Sequence, residues 1–365
     1  LAAGLLLGDH GRERIERAAV LRSLVAEKTV IGAQFLRAKT LLAGAGRRSN
    51  KRLRLGSASL ATAPASPTVA EDARPIYGGP HFFGRDVFLI TVDALRSDRL
   101  RRETMPYTSA LAEQGVRFSR AYTQVPHTSF AVATLLTGKP VYALLTLGQG
   151  AESHETLPMI LRRFRYKTAA FYPPSVFFVE HDKLKGLEDS AYGFEYVKYE
   201  YLDGARRTDQ VFAFLAAESP PQVFVWIHYL EPHEPYDVHE GGPGKDRSDL
   251  DRYDGEVAFV DRQIARLCEH LRRTRPGALI IVAADHGEEF GEHGGRYHGT
   301  TLYDEQSRVP LAFAELAQQR LLQPRSYDAP VGLIDVAPTI LGLLDIERSA
   351  RMRGRDLSPW LLSGA

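Results

Sequence analysis

Two apolar runs that stop abruptly at an acid constrain this chain more than any other feature. VFLITV (87–92) is followed by Asp93, and LIIVAA (279–284) by Asp285–His286. Runs of branched apolar residues with no polar alternation have the pattern of central strands in a parallel sheet, covered on both faces. In open α/β sheets, ligands bind outside the carboxyl ends of the strands. An acid at two such ends, with a histidine beside the second, points to ligands for a hard cation or a zinc-type ion gathered at one edge.

The rest of the chain is consistent with such a sheet. Strand patterns also occur at 116–123, 167–172, 222–229 and 308–315. Helical patterns fall at 106–114, at 128–136, over roughly 252–273, and at 333–344 as a final helix. Pro106 and Gly115 bracket the first of these, and Gly138 closes the second. Alternation of this kind predicts an α/β fold with a large, mostly parallel sheet sandwiched between helices. The 365 residues are 44% hydrophobic, enough for a large core.

Charge divides the chain. Residues 1–55 hold 12 Lys/Arg against 4 Asp/Glu, and the remainder holds 34 against 41. A mildly acidic body argues against nucleic acid as a partner. The basic front (1–55) has helical spacing over 11–43, and an Ala/Ser/Pro-rich linker (56–80) follows it. The first eight residues, LAAGLLLG, are apolar but too short to span a bilayer. Two readings stay open for this arm: a membrane-proximal basic segment behind a truncated spanning helix, or an amphipathic helix packed on the body or left solvated. The single cysteine, Cys268, rules out an internal disulfide and lies on the apolar side of a helical pattern.

Thr128 falls at the start of a helix, where free N–H groups suit an anionic ester. Read alone, it or Ser129 is simply an N-cap. Four histidines at or just after strand ends, His228, His233, His286 and His298, widen the pattern; His293 reads as a loop residue.

In order along the chain come ITVDALRSD, LLTGK, PHEPY, YDGEVAFVDRQI, ADHGEEFGEHG, HGTTLYDEQSRVPL and LIDVAPTILGLL with GRDLSPWL. Together they make the body, from about 81 onward, resemble the sulfatases of the alkaline phosphatase superfamily. The resemblance implies a catalytic domain over 81–365 and a divalent metal held by Asp93, Asp285 and His286. It puts Thr128 at the nucleophile position and at the metal. It also implies that His233 and His298 meet the transferred group or the leaving oxygen, and that His228 helps from behind. His228 and Lys139 are expected to touch the substrate, and Tyr236 and Arg296 are further candidates for the pocket lining.

Three departures matter. Residues 128–132 read TSFAV, without the Cys or Ser, Pro and Arg of the formylglycine motif; Ala94 replaces a second aspartate; and Tyr172–Ser175 replaces a Lys-Trp-His segment. A Thr nucleophile resembles the phosphoethanolamine transferases and lipoteichoic acid synthases, membrane-tethered enzymes that act outside the cytoplasm. Zinc or manganese suits the imidazole, and calcium suits a set dominated by oxygens. The expected substrate is an anionic ester on a small molecule, glycan or lipid head group, with phosphoryl chemistry preferred. The alternatives are a sulfuric ester hydrolase working without formylglycine and a catalytically silent binder of polyanionic glycans or lipids.

Overall fold

The computed structural model describes residues 82–145, 155–177, 184, 187 and 191–362. The basic arm and the linker expected over 1–80 lie outside them. Among the described residues, no helix is long and apolar enough to cross a membrane.

Among the described residues a nine-stranded sheet forms the core. Its centre is three parallel strands in register: β1 (Val87–Val92), β5 (Val223–Tyr229) and β6 (Leu279–Ala284). Every residue of the three is buried, as their unbroken apolar runs require. Beyond β5 lie β3 (Lys167–Tyr172) and the edge strand β4 (Tyr196–Tyr199), both parallel. On the other side β9 (Arg308–Glu315) runs antiparallel to β6 and to β2 (Val116–Tyr122), and β10 (Arg325–Tyr327) and β11 (Val331–Gly332) pair with β2. The sheet is therefore mostly parallel with one reversed strand, which the run RVPLAFAE does not announce. β2 lies next to the sheet's outer strands and shows the half-buried alternation of its sequence. A separate two-stranded ribbon pairs β7 (Glu289–Phe290) with β8 (Arg296–Tyr297).

Helices flank the sheet in two mutually packed groups. One holds α1 (Pro106–Glu113), α5 (Gly204–Glu218) and α6 (Asp249–Thr274). The other holds α2 (Thr128–Thr137), α3 (Val141–Leu145), α4 (Leu157–Arg163), α8 (Val336–Leu343) and α9 (Ser358–Leu362). A short helix, α7 (Asp304–Ser307), leads into β9. The segment expected as the final helix splits into a 3₁₀ turn (Leu333–Asp335) and α8, and α9 follows it. α5 was not expected; its apolar stripe is thin, and its start is fixed by Asp203, which accepts from the Arg206 N–H.

Two helix ends correct the sequence reading. α6 begins earlier than expected because Ser248 and Asp251 form a reciprocal capping box. In α2 the N-cap is His127, in extended conformation and with no side-chain cap, so Thr128 is the first helical residue and its hydroxyl is not used as a cap. Gly138 ends α2 at φ 61, a left-handed position that glycine adopts without steric cost. Cys268 is wholly buried, as expected. Asp261 packs helix on helix, accepting from the N–H groups of Tyr107 and Thr108 at 3.0 and 2.8 Å, and Asp254 pairs with Arg99.

Candidate active site

Register places the site. Val92 stands level with Tyr229 and Ala284, so the chain leaves β1, β5 and β6 at one edge. β2 ends at the same edge, where Tyr122 meets Arg308 at the start of the reversed β9, and the loop after β2 delivers α2. Asp93, Thr128, His233, Asp285 and His286 thus come from four chain segments far apart in sequence.

His286 is the centre of the arrangement. Its Nδ1 lies 3.0 Å from the Gly287 carbonyl oxygen, which can only accept, so the proton sits on Nδ1 and Nε2 keeps its lone pair. That lone pair faces Thr128 Oγ1 at 3.0 Å, Asp285 Oδ2 at 3.3 Å and Asp93 Oδ1 at 3.4 Å. Both carboxylate oxygens are buried and make no hydrogen bond. Buried carboxylates are rarely left so. Two orphaned carboxylate oxygens, an imidazole lone pair and a hydroxyl converging on one point fit a divalent cation.

The electrostatics agree. Burial pushes the Asp285 carboxyl well above the usual carboxylate range, and the charge of Asp93 pushes it further. Asp93 goes the other way: burial would raise it, but the charge of His233 and the hydrogen bond from His228 hold it below the usual range. Two buried carboxylates this close either share a proton or need a cation between them to stay ionised together. Burial, with His298 beside it, lowers the His286 imidazole to about 3.

The backbone around the pair is braced. Asp285 Oδ1 accepts from its neighbour His286 N–H and from the Ala94 N–H across the edge, at 2.9 and 3.2 Å. Ala94 sits at φ 56, the left-handed region, and Tyr253 clamps the turn by accepting from Arg96 N–H and donating to the Ala94 carbonyl. Gly287 is needed for close approach: a Cβ there would lie 2.1 Å from the Glu305 carbonyl oxygen.

His228 is brought to the site but not to its open side. It is wholly buried, with Nε2 3.2 Å from Asp93 Oδ2. Asp93, His228 and Asp285 could by distance form a ligand set of their own. A hydrogen-bond chain decides otherwise. Trp226 Nε1 can only donate, and it donates to Thr91 Oγ1 at 2.9 Å. Thr91 then has its own proton for His228 Nδ1 at 2.8 Å, a better contact than the Ile227 carbonyl at 3.4 Å. His228 Nε2 therefore carries the proton and donates to Asp93, holding the carboxylate in place from behind. The expected contact of His228 with substrate is corrected: it is covered by Asp93.

His233 and His298 lie together on the open side, with ring centroids 5.0 Å apart; His298 stacks on His286 at 4.1 Å. His233 Nδ1 donates to the Glu234 carbonyl at 2.6 Å. Burial would lower the His233 imidazole, but Asp93, Glu288 and Glu234 raise it to about 9. Burial and the charge of His233 push His298 down to about 3. The two rings thus hold opposite proton preferences.

Lys139 is a correction. It follows the C-cap of α2, whose other end carries Thr128, and the length of that helix separates the two by roughly 15 Å. It is buried there and does not line the site. Arg296 pairs with Asp249 on the surface, His293 pairs with Glu305 and stacks on Tyr303, and Ser129 donates to the Val176 carbonyl. Tyr236 is buried and donates to Glu288. Glu288 itself was missed. It is wholly buried beside His298, and its only sequence signal is an acid two residues past the Asp-His pair.

Comparison with known proteins bears on the family and the fold. The family model described as Sulfatase matches residues 85–346. The uncharacterized sulfatase YidJ of Escherichia coli is 35% identical over 100 residues, covering 27% of this chain and 19% of the relative. The chain spans about a fifth of the length of the first curated relatives it matches. Among solved structures, the phosphonate monoester hydrolase of Agrobacterium radiobacter superposes with TM-score 0.61 at 19% identity, covering 77% of this chain and 78% of that one. The lipoteichoic acid synthase LtaP of Listeria monocytogenes does so with TM-score 0.60 at 16% identity, covering 75% and 76%. At these identities the two structures speak for the fold alone. A family match over most of the chain, on a sheet whose strand ends gather two acids and a histidine, places this protein in the sulfatase family of the alkaline phosphatase superfamily.

Proposed function

We propose that this protein is a metal-dependent hydrolase or transferase of phosphate or sulfate esters that uses Thr128 as its nucleophile, with phosphoryl chemistry preferred. One observation carries the reading: the Thr128 hydroxyl meets the His286 lone pair at 3.0 Å, beside two buried carboxylate oxygens that have no other partner. The absence of the formylglycine motif at 128–132 supports a hydroxyl rather than a converted residue in this role.

Asp93, Asp285, His286 and Thr128 would hold the cation, zinc or manganese by their chemistry, with calcium the choice if oxygens dominate. When bound, the cation supplies positive charge that lowers the pKa of a hydroxyl and offsets negative charge on an ester. Thr128 Oγ attacks the phosphorus or sulfur in line, its bond forms as the bond to the leaving oxygen breaks, and the group rests on the threonine. His233, which keeps its proton up to about pH 9, gives a proton to the departing oxygen; water or an acceptor alcohol then takes the group from Thr128, its own proton going to the bare Nε2 of His298. The N-terminus of α2, which has no side-chain cap, would turn its positive dipole end toward the transferred anion. The resemblance to membrane-tethered transferases with a Thr nucleophile is what supports an extracytoplasmic setting, with a glycan or lipid head group as substrate.

The test is Thr128→Ala, assayed on aryl phosphate monoester, aryl phosphate diester and aryl sulfate. Turnover should disappear while bound metal, on the three remaining ligands, persists. Undiminished activity would remove Thr128 from the role. Wild-type activity confined to the sulfate would overturn the preference for phosphoryl transfer. No bound metal and no activity, with no rescue by zinc or manganese, would favour the silent binder.

A further inference from the structure

We infer that Glu288 is a positioning residue that acts through His298. The inference rests on the reading above, in which His298 meets the reacting group, and adds the residue that aims it. Glu288 is fully buried, yet both of its carboxylate oxygens are used. Oε1 lies 3.0 Å from His298 Nδ1, and Oε2 accepts from the Tyr236 hydroxyl at 3.0 Å. Its backbone is held too: Arg96 Nη1 donates to the Glu288 carbonyl at 3.1 Å. The same guanidinium pairs with Asp98 and Glu292 and lies over the Phe290 ring, so the support of Glu288 is rigid.

The consequence follows from the two-ended imidazole. With Nδ1 bound to Glu288, Nε2 is the only ring nitrogen of His298 left to meet a ligand. The ring is trapped between His286, stacked at 4.1 Å, and His233, edge-on at 5.0 Å. A ring free at Nδ1 could flip, which puts a carbon where Nε2 stood, or take the other tautomer, which moves the ring proton onto Nε2. A carboxylate that orients a catalytic imidazole through Nδ1–H is a known solution to this problem. Tyr253 and Phe290 pack around Tyr236 and keep water from the far side of the carboxylate.

The test uses the zinc-loaded full chain and the ester panel above. Glu288→Gln should lower kcat by about 100-fold, the low end of what a positioned proton-transfer group supplies, with KM within twofold and zinc content unchanged. In a His298→Gln background the same change should cost nothing further, because its effect passes through His298. Tyr236→Phe, which keeps the Glu288–His298 bond but loosens the carboxylate, should cost several-fold. A wild-type kcat in Glu288→Gln, or a full multiplicative loss in the double variant, would overturn the inference. A second readout does not need turnover. With ¹⁵N-histidine labelling, a far-downfield Nδ1–H resonance that disappears in His298→Gln should be present in the wild type and lost or shifted in Glu288→Gln. Its absence from the wild type would also overturn the inference. If the wild type hydrolyses no ester, the proposed function falls, and this resonance still decides whether Glu288 aims His298.

Discussion

Thr91 shows how far from the reacting atoms a ligand set is decided. It stands within β1, two residues before Asp93, and reads in the sequence as one more strand residue. Its hydroxyl accepts from Trp226 and donates to His228, so that His228 donates to Asp93 and only Oδ1 of that carboxylate faces the site. Thr91→Val keeps the shape and removes the relay. Groups that orient ligands in this way are worth about 10- to 100-fold in metal affinity, and a chelator-competition titration should show a loss of that size. An unchanged affinity would mean that Asp93 needs no such hold. Asp93, Thr128, Asp285, His233 and His298 are all recognisable as candidates from residue type and position. Glu288 is not, because GEEF looks like any acidic loop until the fold buries its first acid against His298. Lys139 misleads for the opposite reason: it is close to Thr128 in sequence, but a helix intervenes.

At the scale of elements, the site is a product of register. β1, β5 and β6 are parallel and level, so acids one residue past β1 and β6 must be neighbours. The loop after β5 (230–237) carries His233 and is fastened to two helices. Glu231 accepts from the first N–H of α5, and Glu256 of α6 accepts from the Asp237 N–H. This fastening has a pH signature. Burial, and then the charge of Glu231, raise the Glu256 carboxyl well above its ordinary value; burial likewise raises Glu231. A carboxyl whose folded pKa is raised keeps its proton in the native state after the unfolded chain has lost it. Stability is then fully present below about 4.5, the unfolded value, and declines as pH rises toward the folded one. Glu256→Gln removes that decline. Its melting temperature should exceed that of the wild type at pH 8, and the gain should shrink to nothing near pH 4.5. A gain independent of pH, or a loss at pH 8, would show that Glu256 is stabilised in its charged form.

For the whole molecule, a cation held as proposed by the buried Asp93–Asp285 pair would make folding and cation binding one equilibrium. A ligand that binds only the native state adds about 2.7 kcal/mol when present at a hundred times its Kd. Exhaustive chelation should therefore lower the melting temperature by several degrees, and zinc or manganese should restore it. Equal melting with and without metal would argue that the pair is held by a shared proton instead. The α/β class, the mostly parallel sheet, the family and most of the candidate ligands were legible in the sequence. Apolar runs bounded by an acid can satisfy burial and hydrogen bonding in few other ways. The reversal of β9, the extra helix α5 and the split of the last helical segment were not, because strand direction and thin apolar stripes depend on what packs against them. Nor could the sequence say which histidine nitrogen carries a proton, that His228 stands behind Asp93, or that Glu288 holds His298. Those depend on distances of about 3 Å between residues more than a hundred apart, or across a loop whose path only the packed structure sets. The strand-end residues are thus a property of the sequence, and their aim is a property of the tertiary structure.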